Sequence, residues 1–342
     1  MTIINRVLKK PRPSIVLDTY WKFAAERQAV FFNRIHRIHP LTTDSILLKH
    51  KFTNAYRASD RVSQYLIRNV IYKGDQSPEE LLFRILLFKI FNKIETWELL
   101  QHEIGELNWK TYSFVQYNRI LQEALNTKES IYSGAYIMAS GKSVFGYDRK
   151  HENHLRLIEK MIRSGLANKI TDAESMEKVY ELLRTYPTIG SFLAYQYTID
   201  INYSRLTNFS EMDFVVPGPG AKDGIRKCFK NLGDYSEADV IRWVTESQIN
   251  EFERLDLDFQ DLWGRPLQLI DCQNLFCETD KYARVAHPEI NGISERKRIK
   301  QLYIPKNSDI VYWYPPKWNI NPKLSETYGK TYQSIHQPSE SM

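Results

Sequence analysis

Cysteine is scarce in this chain. Its 342 residues hold three, Cys228, Cys272 and Cys277. The number is odd and the spacing fits no zinc pattern, so a disulfide framework is not expected and a reducing compartment is. Long apolar runs are lacking too, and none reaches the length needed to cross a bilayer. The opening Met1-Thr2-Ile3-Ile4-Asn5-Arg6 leads into Lys9, Lys10, Pro11 and Pro13, not into the apolar core of a signal peptide. The expectation is a soluble, cytoplasmic protein with no membrane partner. A strong charge of one sign is also missing: 47 basic residues stand against 41 acidic ones, a net +6. That balance permits a polyanionic partner without demanding one. Strand-like alternation is sparse, and no βαβ series or internal repeat stands out.

Apolar and aromatic residues are abundant. The chain is 42% hydrophobic, with 21 Tyr, 16 Phe and 7 Trp. That suffices for a large core, in one domain or two lobes. Most of these rings belong inside, while rings beside basic groups suit stacking on unpaired bases. Residues 1 to about 15 read as a basic, proline-broken arm. A helical pattern runs from Leu17 to His39, with Tyr20-Trp21, Phe31-Phe32 and Ile35 at three-to-four spacing, and a second covers Ser59 to Tyr72. Ser77-Pro78-Glu79-Glu80 opens a third helix: an N-cap, a proline suited to the first turn, and two acids at the positive end of the dipole. Its nearly continuous apolar run, Leu81 to Phe91, marks a buried central helix. Further helices are expected at 94–103, 111–125, 149–165, 174–185, 191–202, 221–231 and 236–253. Tyr303 to Trp318 reads as extended, a short strand or a packed tail, and residues from about 325 as frayed. The fold class is therefore mainly α. The expected domains are an arm and helix over 1–45, a helical domain over 46–300, and a tail over 301–342.

The stretch Tyr186-Pro187-Thr188-Ile189-Gly190-Ser191-Phe192-Leu193-Ala194 reads as a tight turn opening a helix. Pro187 fixes φ, Gly190 permits a positive φ, and the free N–H groups of the helix start, at Gly190 and Ser191, suit a phosphate. One helix and a return loop later comes Asp213, ahead of Val216-Pro217-Gly218-Pro219-Gly220. This order resembles the helix-hairpin-helix DNA glycosylase superfamily. The resemblance implies a two-lobed helical fold in which Asp213 stabilises positive charge at the sugar of an extruded nucleotide. Glu211 is its competitor, Asp200 and Asp223 weaker ones, and a turn-capping acid is the plain alternative. Asn92 either faces the base pocket or ends its helix.

A narrower resemblance rests on four segments: Asn54-Ala55-Tyr56-Arg57-Ala58-Ser59-Asp60-Arg61-Val62-Ser63-Gln64-Tyr65; Gly134-Ala135-Tyr136-Ile137-Met138; Pro217-Gly218-Pro219-Gly220-Ala221 with Gly224-Ile225; and Asp271-Cys272-Gln273-Asn274 with Cys277-Glu278-Thr279-Asp280-Lys281-Tyr282-Ala283-Arg284. Together these look like the α-glutamyl/putrescinyl thymine pyrophosphorylase family, over about residues 50 to 290. That family is associated with hypermodified pyrimidines of phage DNA, and some relatives act as anti-phage glycosylases on glucosylated hydroxymethylcytosine. From the residues themselves, Arg57 and Arg61 share a helical face and either clamp phosphate or form a solvated basic face. Tyr56 and Tyr65 either flank a base or belong to the core. Tyr136 is a stacking lid or part of a simple turn. Gln273 and Asn274 offer amides that read base edges, and Asp280, Lys281 and Arg284 read as a surface ion-pair network. Gly218 and Gly220, with Lys222 and Arg226, could hold phosphate or pyrophosphate.

Two departures from the superfamily narrow the reaction. Ser191-Phe192 stands where bifunctional members carry the imine-forming lysine, and the iron–sulfur cysteine cluster is missing. The leading expectation is a monofunctional glycosylase that excises a bulky modified pyrimidine from phage DNA and leaves an abasic site. It would act as a monomer, without cofactor or metal. The alternatives are a transferase that displaces pyrophosphate with an amine, and a DNA-binding module without catalysis.

Overall fold

A computed structural model describes residues 8–305 and 310–328. Sixteen α-helices follow one another among these residues: α1 (Ile15–Ile35), α2 (Ser45–Lys49), α3 (Arg61–Tyr65), α4 (Pro78–Phe91), α5 (Ile94–Ile104), α6 (Phe114–Asn126), α7 (Lys142–Phe145), α8 (Lys150–Arg163), α9 (Leu166–Thr171), α10 (Met176–Arg184), α11 (Ser191–Asn202), α12 (Pro219–Cys228), α13 (Glu237–Glu246), α14 (Gln248–Arg254), α15 (Leu269–Ala286) and α16 (Asn321–Tyr328). The one sheet among them is a short antiparallel ribbon, β1 (Arg12–Pro13) against β2 (Phe229–Asn231). The chain is mainly α, with an irregular C-terminal segment, as its periodicity implies. No helix among the described residues is long and apolar enough to cross a membrane.

The residues divide into two compact units. The first takes in residues 8–60, 214–305 and 322–328, the second Arg61–Asp213 and Ile310–Asn321. Both crossing points, after Asp60 and after Asp213, fall inside the stretch over 46–300 expected as a helical domain of two lobes.

The first unit is organised on α15. Helix α12 lies closest to it, because Gly220 and Gly224 present no side chain: a Cβ on Gly224 would fall 1.9 Å from the carbonyl oxygen of Phe276. Helices α1 and α13 also contact α15. Tyr20 of α1 meets Phe276 at 4.6 Å between ring centres, and Trp21 meets Phe252 at 5.0 Å. A buried ion pair joins Lys227 of α12 to Asp280 of α15 at 3.0 Å. The expected N-terminal arm is fastened from Lys9 onward: its N–H donates to Asp234 and its carbonyl accepts from the Asp234 N–H. Residues 1–7 of that arm lie outside the described residues.

The second unit is built around α4. Twelve of its fourteen residues are buried, from Glu80 to Phe91. The helix stops at Asn92, whose left-handed backbone (φ 48°) lets its N–H return to Phe88. Helices α8, α9 and α11 contact α4, and α10 packs against α11 across the turn that joins them. The stretch expected as helix over Ser59 to Tyr72 is instead a 3₁₀ turn (Arg57–Ser59), α3, and a π-helical turn (Leu66–Ile71). Of the Tyr/Trp-rich tail, Tyr312 and Tyr314 are buried, the Trp313 N–H donates to Gln64, and the Lys317 ammonium donates to the carbonyls of Ser204 and Thr207. It is the packed tail, not the strand. Helix α16 corrects the frayed end expected from about 325; the tail beyond Tyr328 lies outside the described residues.

Candidate functional site

Lysine is costly inside an apolar helix, and Lys89 sits in the middle of one. It is 3% exposed on α4, and its ammonium lies 2.9 Å from the carboxylate of Asp200 on α11, itself fully buried. Lys89 also donates to the Asn92 amide oxygen at 3.0 Å. Burying an ammonium and a carboxylate costs several kcal/mol for each ion, offset only by good geometry. Groups held that way mark candidate functional sites. Over the ammonium, 4.5 Å from ring centre to nitrogen, lies Tyr136. Tyr136 is half-buried with a positive φ of 57°, and stacks on half-buried Phe192 of α11 at 5.8 Å and 11°.

The loop bearing Tyr136 is tied down on both sides. The Ser133 N–H donates to the Phe91 carbonyl, and the Tyr197 hydroxyl donates to the Met138 sulfur. His154 on α8 holds the loop's far end. Burial lowers its imidazole to about 4, so the neutral ring donates to the Ala139 carbonyl through Nε2 and accepts from the Tyr132 hydroxyl at Nδ1. Beyond it, Gly141 lies against Thr188 of the α10–α11 turn, 3.5 Å from where a Cβ would sit. In that turn Thr188, not Gly190, takes the left-handed conformation (φ 66°); Gly190 has φ −75°. Gly190 and Ser191 are exposed at the start of α11, where helix geometry leaves N–H groups for an external acceptor. The Tyr136–Phe192 stack thus covers the buried Lys89, which Asn92 and Asp200 hold, and Phe192 directly follows the exposed start of α11.

Of the residues singled out from sequence, Tyr136, Asn92, Gly190 and Ser191 belong to this arrangement. Asp200, a minor competitor there, is its buried acid. The sequence reading missed Lys89, Phe192 and His154; a cation within the run Leu81–Phe91 was the available signal for the first. Asp213 is exposed in a turn closed by its N–H to the Ser210 carbonyl, and Glu211 is 4% exposed. Arg61 begins α3 with its side chain 42% exposed and meets Glu95 at 3.8 Å, whereas Arg57 lies in the preceding 3₁₀ turn and is 2% exposed. The two arginines do not share a helical face. Tyr65 is half-buried and stacks on Phe88.

The other sequence-quoted residues brace the first unit. Asp271 accepts from the N–H groups of Arg57 and Gln268, and Glu278 accepts from that of Thr53. The buried Tyr56 hydroxyl donates to the Arg265 carbonyl and accepts from the Leu262 N–H. Gln273 is buried on α15 and Asn274 half-buried. Gly218 is the buried N-cap of α12, Gly220 faces Cys277, and Asp223 accepts from the Ser294 N–H. Lys222 and Arg226 are exposed, the latter paired to Glu237 at 3.2 Å. The Asp280–Arg284 and Glu278–Lys281 pairs are largely buried, not a solvated surface network. Burial pushes the Cys277 thiol up to about 12, which keeps it protonated and unsuited to nucleophilic attack.

Asp60 closes the same bracing, accepting from the Asn54 N–H at 2.8 Å. Burial pushes its carboxyl up from 3.8 to about 7. The folded state thus keeps a proton that the unfolded chain loses above about pH 4, so this group's contribution to stability is full below that pH and is lost as pH rises to about 7. Asp60→Asn should flatten that part of the stability–pH curve, measured by urea unfolding at several pH values. An unchanged slope would count against the raised carboxyl.

Over residues 14–292 the chain matches the family described as "5-hmdU DNA kinase, helical domain", and it belongs to that family. A "5-hmdU DNA kinase" of Bacillus phage SP10 is 27% identical over 331 residues, which cover 90% of this chain and 50% of that protein. The chain therefore spans about half the length of the curated relative it matches. No solved structure matches. The family overturns the resemblance to thymine pyrophosphorylases, and with it base excision, the abasic-site product and amine transfer. The role given to Asp213 and Glu211 falls with the glycosylase reaction: the first is exposed in a simple turn, the second enclosed.

Proposed function

We propose that this chain holds the DNA side of a reaction that phosphorylates the hydroxymethyl group of 5-hydroxymethyluracil in DNA. The family description and the name of the phage relative support the substrate and the reaction class. The observation that carries the reading to residues is the buried Lys89–Asp200 pair beneath Tyr136. A base inside a duplex is out of reach of such chemistry and must be turned out of the stack. The Tyr136–Phe192 pair offers rings against which an extruded pyrimidine rests. Lys89, held by Asp200 and Asn92, places a positive charge beneath the Tyr136 ring against which the base would rest. Gly190 and Ser191 at the start of α11 suit a flanking phosphate, and Arg61 of the same unit is exposed enough to add counter-charge.

Phosphoryl transfer also needs groups that cradle a nucleoside triphosphate and its metal. Two sequences carry the end of a phosphate loop, Gly141-Lys142-Ser143 and Gly329-Lys330-Thr331, but Tyr136 and Leu324 stand where G-x-x-x-x-G-K-[ST] requires its first glycine, and the four-residue α7 follows a loop, not a strand. The residues of this chain are therefore assigned to recognition of the substrate.

Stacking on an aromatic side chain contributes about 1–3 kcal/mol per base. Tyr136→Leu should weaken binding to an oligonucleotide carrying one 5-hydroxymethyluracil roughly tenfold or more, with little change in the thermal midpoint. Fluorescence anisotropy against the thymine counterpart measures it. Equal affinities of wild type and variant would remove Tyr136 from the site.

A further inference from the structure

We infer that Ile137 is the wedge that enters the duplex where the base has left it. This rests on the reading of Tyr136 as part of a base-holding site. The burial of this loop alternates sharply: Tyr136 is half-buried, Ile137 is 73% exposed and Met138 is 4% exposed. Single exposed apolar residues are ordinary; the placement of this one is not. Its neighbours on both sides are fixed, Tyr136 by the Phe192 ring and Met138 by the Tyr197 hydroxyl, with Ser133 and Ala139 anchored beyond them. A branched apolar side chain is thus held out from a tethered loop, one residue from the ring that would meet an extruded base.

Proteins that open or kink a duplex insert just such side chains, Phe, Leu, Ile, Met or Pro, between base steps. The wedge replaces the stacking that the departing base loses, at a cost of a few kcal/mol for each opened step. The exposed start of α11 directly precedes Phe192, on which Tyr136 stacks, and Gly141 ties the far side of the loop to the α10–α11 turn. A phosphate at Gly190–Ser191 would thus lie near the loop that bears the wedge. An isoleucine suits the task because its χ1 is stiff and it loses little freedom on insertion.

The test uses the full chain and a duplex with one 5-hydroxymethyluracil next to 2-aminopurine, whose fluorescence rises when its neighbour unstacks. Wild type should raise the signal on binding. Ile137→Ala should lower both the rise and the duplex affinity by about tenfold, the worth of roughly 1.4 kcal/mol, and Ile137→Leu should restore both. On single-stranded DNA, where nothing needs opening, Ile137→Ala should bind as wild type does. Full signal from Ile137→Ala on the paired duplex would overturn the wedge, as would equal losses on duplex and single strand, which mark a generic contact. A different outcome sinks the underlying reading: no rise with wild type, together with an indifferent Tyr136→Leu, means no base is extruded at all.

Discussion

Asp200→Ala should destabilise the second unit by about 3–5 kcal/mol, the usual consequence of removing one partner of a buried pair. The Lys89 ammonium is 3% exposed, so it has no water to fall back on when its carboxylate goes. Asn92 accepts one of its protons at 3.0 Å, and neither a neutral amide oxygen nor a tyrosine ring face substitutes for a full negative charge. The decisive comparison is the double variant Lys89→Met/Asp200→Val. Both charges are then gone, the volumes are roughly kept, and most of the stability should return, since apolar replacements of a buried pair are often neutral or stabilising. If the pair were only scaffolding, the double variant would be both stable and functional. If it forms the floor of a base-holding site, the double variant should be stable and should lose the preference for 5-hydroxymethyluracil over thymine. Urea unfolding and anisotropy on the same three proteins separate these outcomes. A cost below about 1 kcal/mol for Asp200→Ala would place the pair with ordinary solvent-screened ones; a double variant that still discriminates the two bases would move recognition elsewhere.

The sequence made some of this plain and hid the rest for physical reasons. Local signals located α4 and α11. Ser77-Pro78-Glu79-Glu80 is a helix start whatever surrounds it, and the turn before Ser191 set the second boundary at the residue where α11 begins. Helix α15 was harder. Leu269–Ala286 carries Asp271, Gln273, Glu278, Thr279 and Asp280 on buried faces, so its polar residues disguise an interior helix as a readout surface. Asp271, Glu278 and Asp280 each meet a partner from a segment distant in sequence, the N–H groups of Arg57 and Thr53 and the Lys227 ammonium, which no local pattern announces. Three of the four segments quoted for the family resemblance converge on this helix. They report how the first unit is braced, and a scaffold is shared by proteins of different chemistry. That is why the resemblance led to the wrong reaction. Lys89 was legible as an anomaly in an apolar run, but Asp200 is on a different helix, and only the fold brings it within hydrogen-bonding distance.

Gly224→Ala should be strongly damaging to the first unit, and Gly220→Ala much milder, although the two glycines lie one turn apart on α12. A Cβ at position 224 would meet the Phe276 carbonyl oxygen at 1.9 Å and its carbon at 2.6 Å. Those are backbone atoms of α15, so relief requires the two helices to separate, and overpacking a close helix contact costs typically 1–3 kcal/mol and sometimes more. At position 220 the obstacle is the Cys277 sulfur at 2.3 Å, the end of a side chain that can rotate. The contrast sharpens with second-site changes. Cys277→Ala removes the sulfur and should return Gly220→Ala to near wild-type stability. Phe276→Ala leaves the carbonyl where it was and should not rescue Gly224→Ala; it should add the separate cost of a lost buried ring, about 3–5 kcal/mol. Thermal unfolding of the five proteins reads the result. Equal effects of the two glycine substitutions would mean that α12 and α15 do not approach as closely as the geometry requires. Rescue of Gly224→Ala by Phe276→Ala would mean that the ring, not the backbone, sets the distance between them.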